Sequence, residues 1–212
     1  MEKETKENNV KKSLKYIILS IVLVIFILIL MDVIQNEIYE FDNIVYTYIQ
    51  KYIQEPTTRI LKILTNMGGA LVLISITIIV MCVVKNKKYG ICIAVNLSGV
   101  AILNQLLKFI IQRPRPGELY RLVEESGFSF PSGHSMASMA FYGLLIYFAY
   151  KNIKNTKLKW FVCILLSIII FTIGISRIYL GAHYASDVLG GFCLSIIYLS
   201  MFIKFVVPKI LK

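Results

Sequence analysis

Long hydrophobic blocks separated by short polar stretches dominate the pattern along this chain. Stretches such as Ile17–Met31, Met67–Val84 and Trp160–Ile175 are too uniformly apolar to form the one-sided helices of a soluble domain. Because a membrane-spanning helix needs about 20 mostly apolar residues, the pattern predicts an all-α bundle of six transmembrane helices. The predicted spans cover residues 16–34, 62–84, 89–111, 134–150, 160–178 and 186–207.

A more polar segment, residues 41–54, lies between the first two predicted spans. Its apolar and aromatic residues recur in steps of three, four and seven, which is typical of an amphipathic helix. We expect Asp42 to cap this helix, Pro56 to stop it, and the helix to lie along the outer membrane interface. There it would either pack over the rim of the bundle or guide lipid toward a site. The repeating residues are Phe41, Ile44, Val45, Tyr48, Tyr52 and Ile53.

The composition agrees with a membrane protein. Hydrophobic residues make up 57% of the 212 residues, charged residues 17%, and mean hydropathy is +0.71. A soluble domain usually has about a quarter charged residues, so a soluble globule, a disordered chain and a disulfide-stapled secreted domain are excluded. The four cysteines fall in predicted spans without a CxxC pair, and we expect them to be packing residues. They are Cys82, Cys92, Cys163 and Cys193.

We attribute the net charge of +11 to the membrane topology of the chain and not to nucleic-acid binding. With the N-terminus in the cytoplasm, most Lys and Arg residues fall inside and most acidic residues outside, as the positive-inside rule expects. Both termini are therefore predicted to be cytoplasmic, in a multi-pass protein of the cell membrane that contacts anionic lipids. The first block is interpreted as a retained span because no small-residue cleavage site follows Met31.

The whole chain, 1–212, is interpreted as a single membrane domain. Its non-spanning parts are a cytoplasmic tail at 1–15, an outer interfacial segment at 35–60 and an outer active-site loop at 112–133. We expect no obligatory protein partner.

Polar residues cluster at three places in the predicted spans, where ionisable groups are costly and usually functional. The third span carries Asn96, Asn104 and Lys108 on one side and leads into an Arg-Pro-Arg-Pro segment. The fourth opens with Pro131-Ser132-Gly133-His134. The fifth ends at Arg177, followed by His183 and Asp187. In the predicted topology all three clusters face outward, so we expect them to form one site.

Three cations in these clusters, Lys108, Arg115 and Arg177, are expected to have no matching acid nearby. Arginine and lysine are suited to oxyanions, and the start of the fourth helix at Gly133 offers free backbone N–H groups. The clusters therefore predict a phosphate site. Four further charged residues of the outer segment are expected at the solvated surface. They are Arg113, for which an extra phosphate contact is the alternative, and Arg121, Glu124 and Glu125.

Both histidines of the chain, His134 and His183, lie in these clusters. Asp187 follows His183 by four residues, so its carboxylate can accept the Nδ1 proton and leave Nε2 free to attack phosphorus. His134 would then act as the general acid. No carboxylate cluster remains for Mg²⁺, so we expect metal-free phosphoryl transfer without a cofactor, in which the cations stabilise the transition state.

These residues resemble the three signature motifs of the type 2 phosphatidic acid phosphatase (PAP2) superfamily. The motifs are Lys108-x6-Arg115-Pro116, Pro131-Ser132-Gly133-His134 and Ser176-Arg177-x5-His183-x3-Asp187. The resemblance implies a metal-independent phosphatase with His183 as nucleophile, Asp187 as its partner and His134 as proton donor. It further implies phosphate binding by Lys108, Arg115, Ser132, Gly133 and Arg177.

The leading hypothesis is a hydrolase of lipid phosphates or diphosphates at the outer membrane face. Undecaprenyl diphosphate is favoured because an outward site matches the face at which it is released. Alternatives are phosphatidylglycerophosphate, phosphatidic acid, or phosphate transfer to another lipid or sugar. A transporter or non-catalytic lipid-binding protein is the rival from another class, but it would not explain two histidines and an aspartate at one membrane face.

Overall fold

The computed structural model describes the backbone of residues 2–212 and the side chains of Val10, residues 13–118 and residues 120–212. Regular structure in this part of the chain is helical, with short 3₁₀ turns at Asn66–Gly68 and Glu118–Tyr120. The helices are α1 (Glu2–Gln35), α2 (Tyr39–Gln50), α3 (Glu55–Thr65), α4 (Ala70–Val83), α5 (Lys88–Ile111), α6 (Gly133–Asn152), α7 (Thr156–Tyr179), α8 (Ala185–Phe205) and α9 (Val207–Leu211).

Four stretches of the described chain are long and apolar enough to cross a membrane. They confirm the first, third, fifth and sixth predicted spans. The bent pair α3 and α4 would make a fifth span, whereas α6 forms at the predicted place but carries more small and polar residues. A count of six spans therefore stays a prediction. The four stretches are Ser13–Gln35, Lys88–Ile111, Thr156–Tyr179 and Ala185–Leu211.

The second span, predicted as one helix over 62–84, is broken. The axes of α3 and α4 differ by 51°, and the chain is extended at Gly69 (φ −78°, ψ 151°). The preceding Gly68 lies so close to α6 and α7 that an added Cβ would be 2.8 Å from Ile173 Cγ2 and 3.3 Å from the His134 carbonyl oxygen. The close approach at Gly68 thus requires a residue without a side chain.

Helix α2 exists, but its ends and one predicted role differ from expectation. It ends at Gln50, and Pro56 lies in the first turn of α3, where proline is favoured. Asp42 does not cap α2, since Ile38 occupies the N-cap position. Asp42 is instead buried in α2. The exposed apolar face of α2 suits a membrane interface, and that location remains a prediction. This face carries Phe41, Ile44 and Tyr48, with Tyr52 just beyond the helix.

Helix α6 lies at the centre of the bundle. It packs against α5, α7 and α8, while α1 packs against α8. The buried core between them is formed by side chains such as Leu73, Phe141, Leu144 and Ile173. This arrangement brings the start of α6 to the same end of the bundle as the end of α5, the end of α7 and the start of α8.

Candidate active site

Two connecting segments meet at this end of the bundle and are tied together by backbone hydrogen bonds. Ser132 N donates to Asp187 O (3.1 Å), and Ser129 N donates to Arg113 O (2.8 Å). Leu122 N donates to Leu180 O (2.9 Å). The segment between α5 and α6 is therefore fixed to the connection between α7 and α8, so the three sequence clusters form one site.

A cavity of about 490 Å³ lies among these loops. Both histidines line it, so the structure brings together the two rings that the sequence placed in separate clusters. Asp187, Ser132 and Arg177 are buried close to this cavity. The lining includes Lys108, Arg115, Glu125, Gly133, His134 and His183.

His183 is held on both ring nitrogens. Nδ1 lies 3.4 Å from Asp187 Oδ2 and 3.3 Å from Ser129 Oγ. Nε2 lies 3.2 Å from the Arg115 Nη1 atom. Because a guanidinium can only donate, this contact assigns the lone pair to Nε2 and the proton to Nδ1. Burial lowers the pKa of His183 to about 4, against the opposing effect of Asp187, so the ring is neutral near pH 7.

Asp187 owes its position to the first turn of α8. Its Oδ2 accepts from the backbone N of Tyr184 (2.9 Å), as an acidic N3 residue does in a capping box. The same oxygen accepts from Ser129 Oγ, while Oδ1 accepts from Arg113 (2.6 Å). The Asp187 carboxylate is fully buried, and both of its oxygens accept hydrogen bonds. These contacts fix its orientation toward His183.

Arg113 is not at the surface, where the sequence placed it. Its exposure is 3%, and its guanidinium donates to Asp187 Oδ1 (2.6 Å), Asp42 Oδ2 (2.7 Å) and Ser186 Oγ (2.7 Å). Burial opposes its charge, but the two carboxylates raise the pKa of Arg113 above its ordinary value. The expectation failed because the partners of Arg113 lie far away in the sequence, in α2 and α8.

His134 follows the cap of α6. Ser132 is the N-cap, and its Oγ accepts from Ser135 N (3.4 Å) and from Ser135 Oγ (2.9 Å). The Ser132 hydroxyl is thus engaged in the helix start. The backbone of Gly133 comes close to α5, where Asn104 Nδ2 donates to Pro131 O (3.0 Å). These contacts direct the free N–H groups and the His134 ring toward the cavity.

The three predicted phosphate cations lie around the cavity with protein partners. Lys108 Nζ donates to Phe128 O. Arg115 donates to the carbonyl oxygens of Ser126 (2.9 Å), Gly127 (3.0 Å) and Ala182 (2.8 Å). Buried Arg177 donates to Thr65 Oγ1 (3.1 Å), whereas its Nε has no partner among the described residues.

Glu125 corrects two expectations: it is not a solvated loop residue, and the cations do have an acid near them. Its carboxylate pairs with Arg177 and lies 3.7 Å from Arg115. Burial alone would raise the pKa of Glu125, but Arg177 and Arg115 hold it below its ordinary value. Arg121 is also engaged, donating to Pro116 O (2.8 Å).

Sequence reasoning missed Asp42, Glu125, Ser129 and Ser186 as residues of the site. One signal was present for Asp42: it precedes Val45 and Ile49 by three and seven residues, which places it on the buried face of α2. Glu125 could not be distinguished from its neighbour Glu124 by any pattern. The two serines gave no signal at all.

Comparison with known proteins gives matches that agree with one another. The sequence profile of the PAP2 superfamily matches residues 87–210. Phosphatidylglycerophosphatase B of Bacillus subtilis is 37% identical over 138 residues, which cover 63% of this chain and 68% of that protein. Undecaprenyl-diphosphatase BcrC of the same organism is 29% identical over 118 residues, which cover 52% of this chain and 55% of that protein.

A solved structure is similar over nearly the whole chain. It is the crystal structure of a transmembrane PAP2-type phosphatidylglycerolphosphate phosphatase from Bacillus subtilis. The TM-score is 0.81 at 29% identity, with 92% of this chain and 97% of that chain covered.

Proposed function

Because the chain belongs to the PAP2 superfamily and is a membrane phosphatase, we propose that it removes phosphate from a lipid phosphate through a phosphohistidine on His183. The observation that carries the proposal is the pair of histidines on one cation-lined cavity, with His183 held by Asp187 through Nδ1. Ionisable residues among membrane-spanning helices are rare and usually functional, so two histidines on one cation-lined cavity support a chemical role.

In the first step, Nε2 of His183 attacks phosphorus and the bond from phosphorus to the lipid oxygen breaks. His134 gives its proton to that oxygen, so the lipid alcohol leaves neutral. The Nδ1 proton stays on the ring beside Asp187, and the phosphorylated imidazole carries a positive charge. Lys108, Arg115 and the N–H groups at Gly133 would hold the phosphate oxygens.

In the second step, water replaces the lipid alcohol on the side of His134. His134 takes a proton from this water as its oxygen forms a bond to phosphorus, and the bond from phosphorus to Nε2 breaks. Inorganic phosphate leaves, and both histidines regain their starting protonation. The cations supply charge stabilisation that a metal ion gives in other phosphatases, and Arg177 Nε is a buried donor without a partner among the residues that the structure describes.

Phosphatidylglycerophosphate is the substrate that the comparisons support best. The relative named for it has the higher identity and coverage of the two Bacillus enzymes, and the similar solved structure is also named for this substrate. Undecaprenyl diphosphate, which the outward topology favours, remains the second candidate because of the 29% identical relative. We place the site at the extracytoplasmic face on the positive-inside pattern of Lys and Arg residues.

The test is phosphate release by the detergent-solubilised protein, with both lipids and phosphatidic acid compared in the presence of EDTA. We expect turnover in chelator, with the highest kcat/KM on phosphatidylglycerophosphate. Loss of turnover in EDTA would refute the metal-free mechanism. A preference for undecaprenyl diphosphate would instead correct only the substrate.

Trapping with a ³²P-labelled lipid tests the intermediate. We expect alkali-stable, acid-labile label on the wild-type protein, no label and no turnover in His183→Ala, and unaffected labelling in the matched control Gln105→Ala, which alters an uncharged residue of the same cavity. Retention of most of the rate by His183→Ala would show that the nucleophile is wrongly assigned.

A further inference from the structure

A buried cluster of charges lies behind His183, on the side away from the phosphate cations. We call Asp42, Arg113, Ser186 and Asp187 the anchor cluster. The side chains of its three charged members are between 0% and 2% exposed. Burying charges is costly unless they are paired and fully hydrogen-bonded, so the cluster calls for an explanation beyond general packing.

Both oxygens of the Asp42 carboxylate accept hydrogen bonds within the anchor cluster. Its Oδ1 accepts from Ser186 N (2.8 Å), and its Oδ2 accepts from Ser186 Oγ (2.7 Å) and from Arg113 (2.7 Å). Ser186 directly precedes Asp187. Asp42 therefore holds the first turn of α8 through the backbone and the hydroxyl of Ser186, and also through Arg113, which binds Asp187.

Arg113 is fixed in one orientation between the two carboxylates. Its guanidinium carbon lies 4.2 Å from the ring centre of Tyr184 and 5.5 Å from that of Tyr39. The two tyrosine rings limit movement of the guanidinium out of its own plane. The two carboxylates fix its direction within that plane. Arg113 thus links helix α2 to the carboxylate that contacts His183.

The charges of the cluster do not cancel. Two carboxylates face one guanidinium, so the cluster carries one excess negative charge behind a neutral imidazole. The proposed attack on phosphorus makes this imidazole cationic. A buried negative charge in a fixed place stabilises such a developing cation without any reorganisation of the site.

We propose that Asp42 is a positioning residue for the reaction: it supplies the excess negative charge and, through Arg113 and Ser186, sets the place of Asp187 at His183. Helix α2 is then part of the catalytic apparatus as well as a surface helix. This inference rests on the proposed function, because the developing charge belongs to the phosphohistidine step.

The test compares Asp42→Asn with Glu40→Gln, which removes the same charge from an exposed position of the same helix. In Asp42→Asn we expect kcat to fall about tenfold, as when a buried partner of a functional histidine is removed. KM should stay within about twofold, since the phosphate cations are untouched. Glu40→Gln should leave both constants unchanged. An unchanged kcat in folded Asp42→Asn would overturn the proposal.

A double variant separates positioning from simple stabilisation. Arg113→Gln alone leaves two unpaired buried carboxylates, whereas Asp42→Asn with Arg113→Gln leaves Asp187 as the only charge of the cluster. We expect the double variant to yield more folded protein than Arg113→Gln, but with a kcat no higher than that of Asp42→Asn, because the charge of Asp42 is missing from both. Losses that simply add would refute the coupling.

These outcomes are distinguishable from failure of the proposed function. If the wild-type protein forms no phosphoenzyme with any lipid of the panel, the function is wrong. If it does so and Asp42→Asn keeps its kcat, only the role of Asp42 is wrong.

Discussion

Arg113 and Arg115 are two residues apart in one Arg-Pro-Arg-Pro segment, yet they approach His183 from opposite sides. Arg113 binds the carboxylates of Asp42 and Asp187, behind the Nδ1 edge. Arg115 binds three backbone carbonyl groups and reaches Nε2 on the cavity side. The segment has no regular secondary structure between α5 and the 3₁₀ turn at Glu118–Tyr120.

The role of each arginine is therefore decided by its partners more than by its position in a motif. Carboxylates on both sides neutralise Arg113 and leave it no capacity for a phosphate. Arg115 donates to carbonyl oxygens, which carry only partial charge, and the carboxylate nearest to it, that of Glu125, is 3.7 Å away, so more of its positive charge is available to the cavity. One segment therefore provides both a fixed anchor and an anion-binding group.

The largest expected effect is on the stability of Arg113→Gln. Removing one partner from a buried charge network costs about 3–5 kcal/mol, because the remaining charges stay buried without compensation. Thermal unfolding in detergent should show a large fall in the melting temperature and a low yield of monodisperse protein. Arg121→Gln is the matched control, because Arg121 donates only to a loop carbonyl group among the described residues. Equal stability of the two variants would show that the anchor cluster is not needed for folding.

Arg115→Gln should lose activity while largely keeping its fold. We expect kcat/KM to fall about 100-fold, the lower range for removing one transition-state donor, with a smaller change in melting temperature than in Arg113→Gln. The acid limb of kcat/KM should also move to higher pH. Burial is the main cause of the lowered pKa of His183, but Arg115 lowers it as well, so removing its charge raises this pKa. A shift to lower pH would contradict the contact with Nε2.

The smallest expected effect is on inhibition by phosphate in Glu125→Gln. Glu125 is the acid that pairs with Arg177. A phosphate must compete with this carboxylate, so Glu125→Gln should bind anions more tightly. We expect the inhibition constant of inorganic phosphate to fall about three- to tenfold, equal to about 0.7–1.4 kcal/mol. Glu124→Gln, exposed and adjacent, should change nothing. Weaker inhibition in Glu125→Gln would mean that Glu125 supports phosphate binding.

The parts of this molecule that follow from local pattern could be predicted from the sequence. Uniformly apolar blocks gave four of the spans within a few residues, since hydrophobic length and composition suffice for them. The two histidines and the cations Lys108 and Arg115 of the cavity lining were also found, because such groups stand out in and beside apolar helices. The bend between α3 and α4 was missed because Gly68-Gly69 interrupts no hydrophobic pattern.

The anchor cluster could not be predicted for a different reason. Asp42 lies 71 residues from Arg113 and 144 residues from Ser186. The sequence around each of these residues does not indicate that the others lie beside it in the fold. A polar residue on an amphipathic helix has the same pattern whether it faces solvent or an arginine from elsewhere in the chain. Pairing of this kind is a property of tertiary packing alone.

The space beside His134 depends on atoms that residues 68 and 69 lack. A methyl group at residue 68 would overlap Ile173 at 2.8 Å, and one at residue 69 would lie 3.7 Å from Nε2 of His134. Alanine at residue 68 would force Ile173 to move, whereas the contact that a methyl group at residue 69 would make with the His134 ring is of ordinary length. The packing beside His134 therefore depends on a break between α3 and α4 that contributes no side chain of its own.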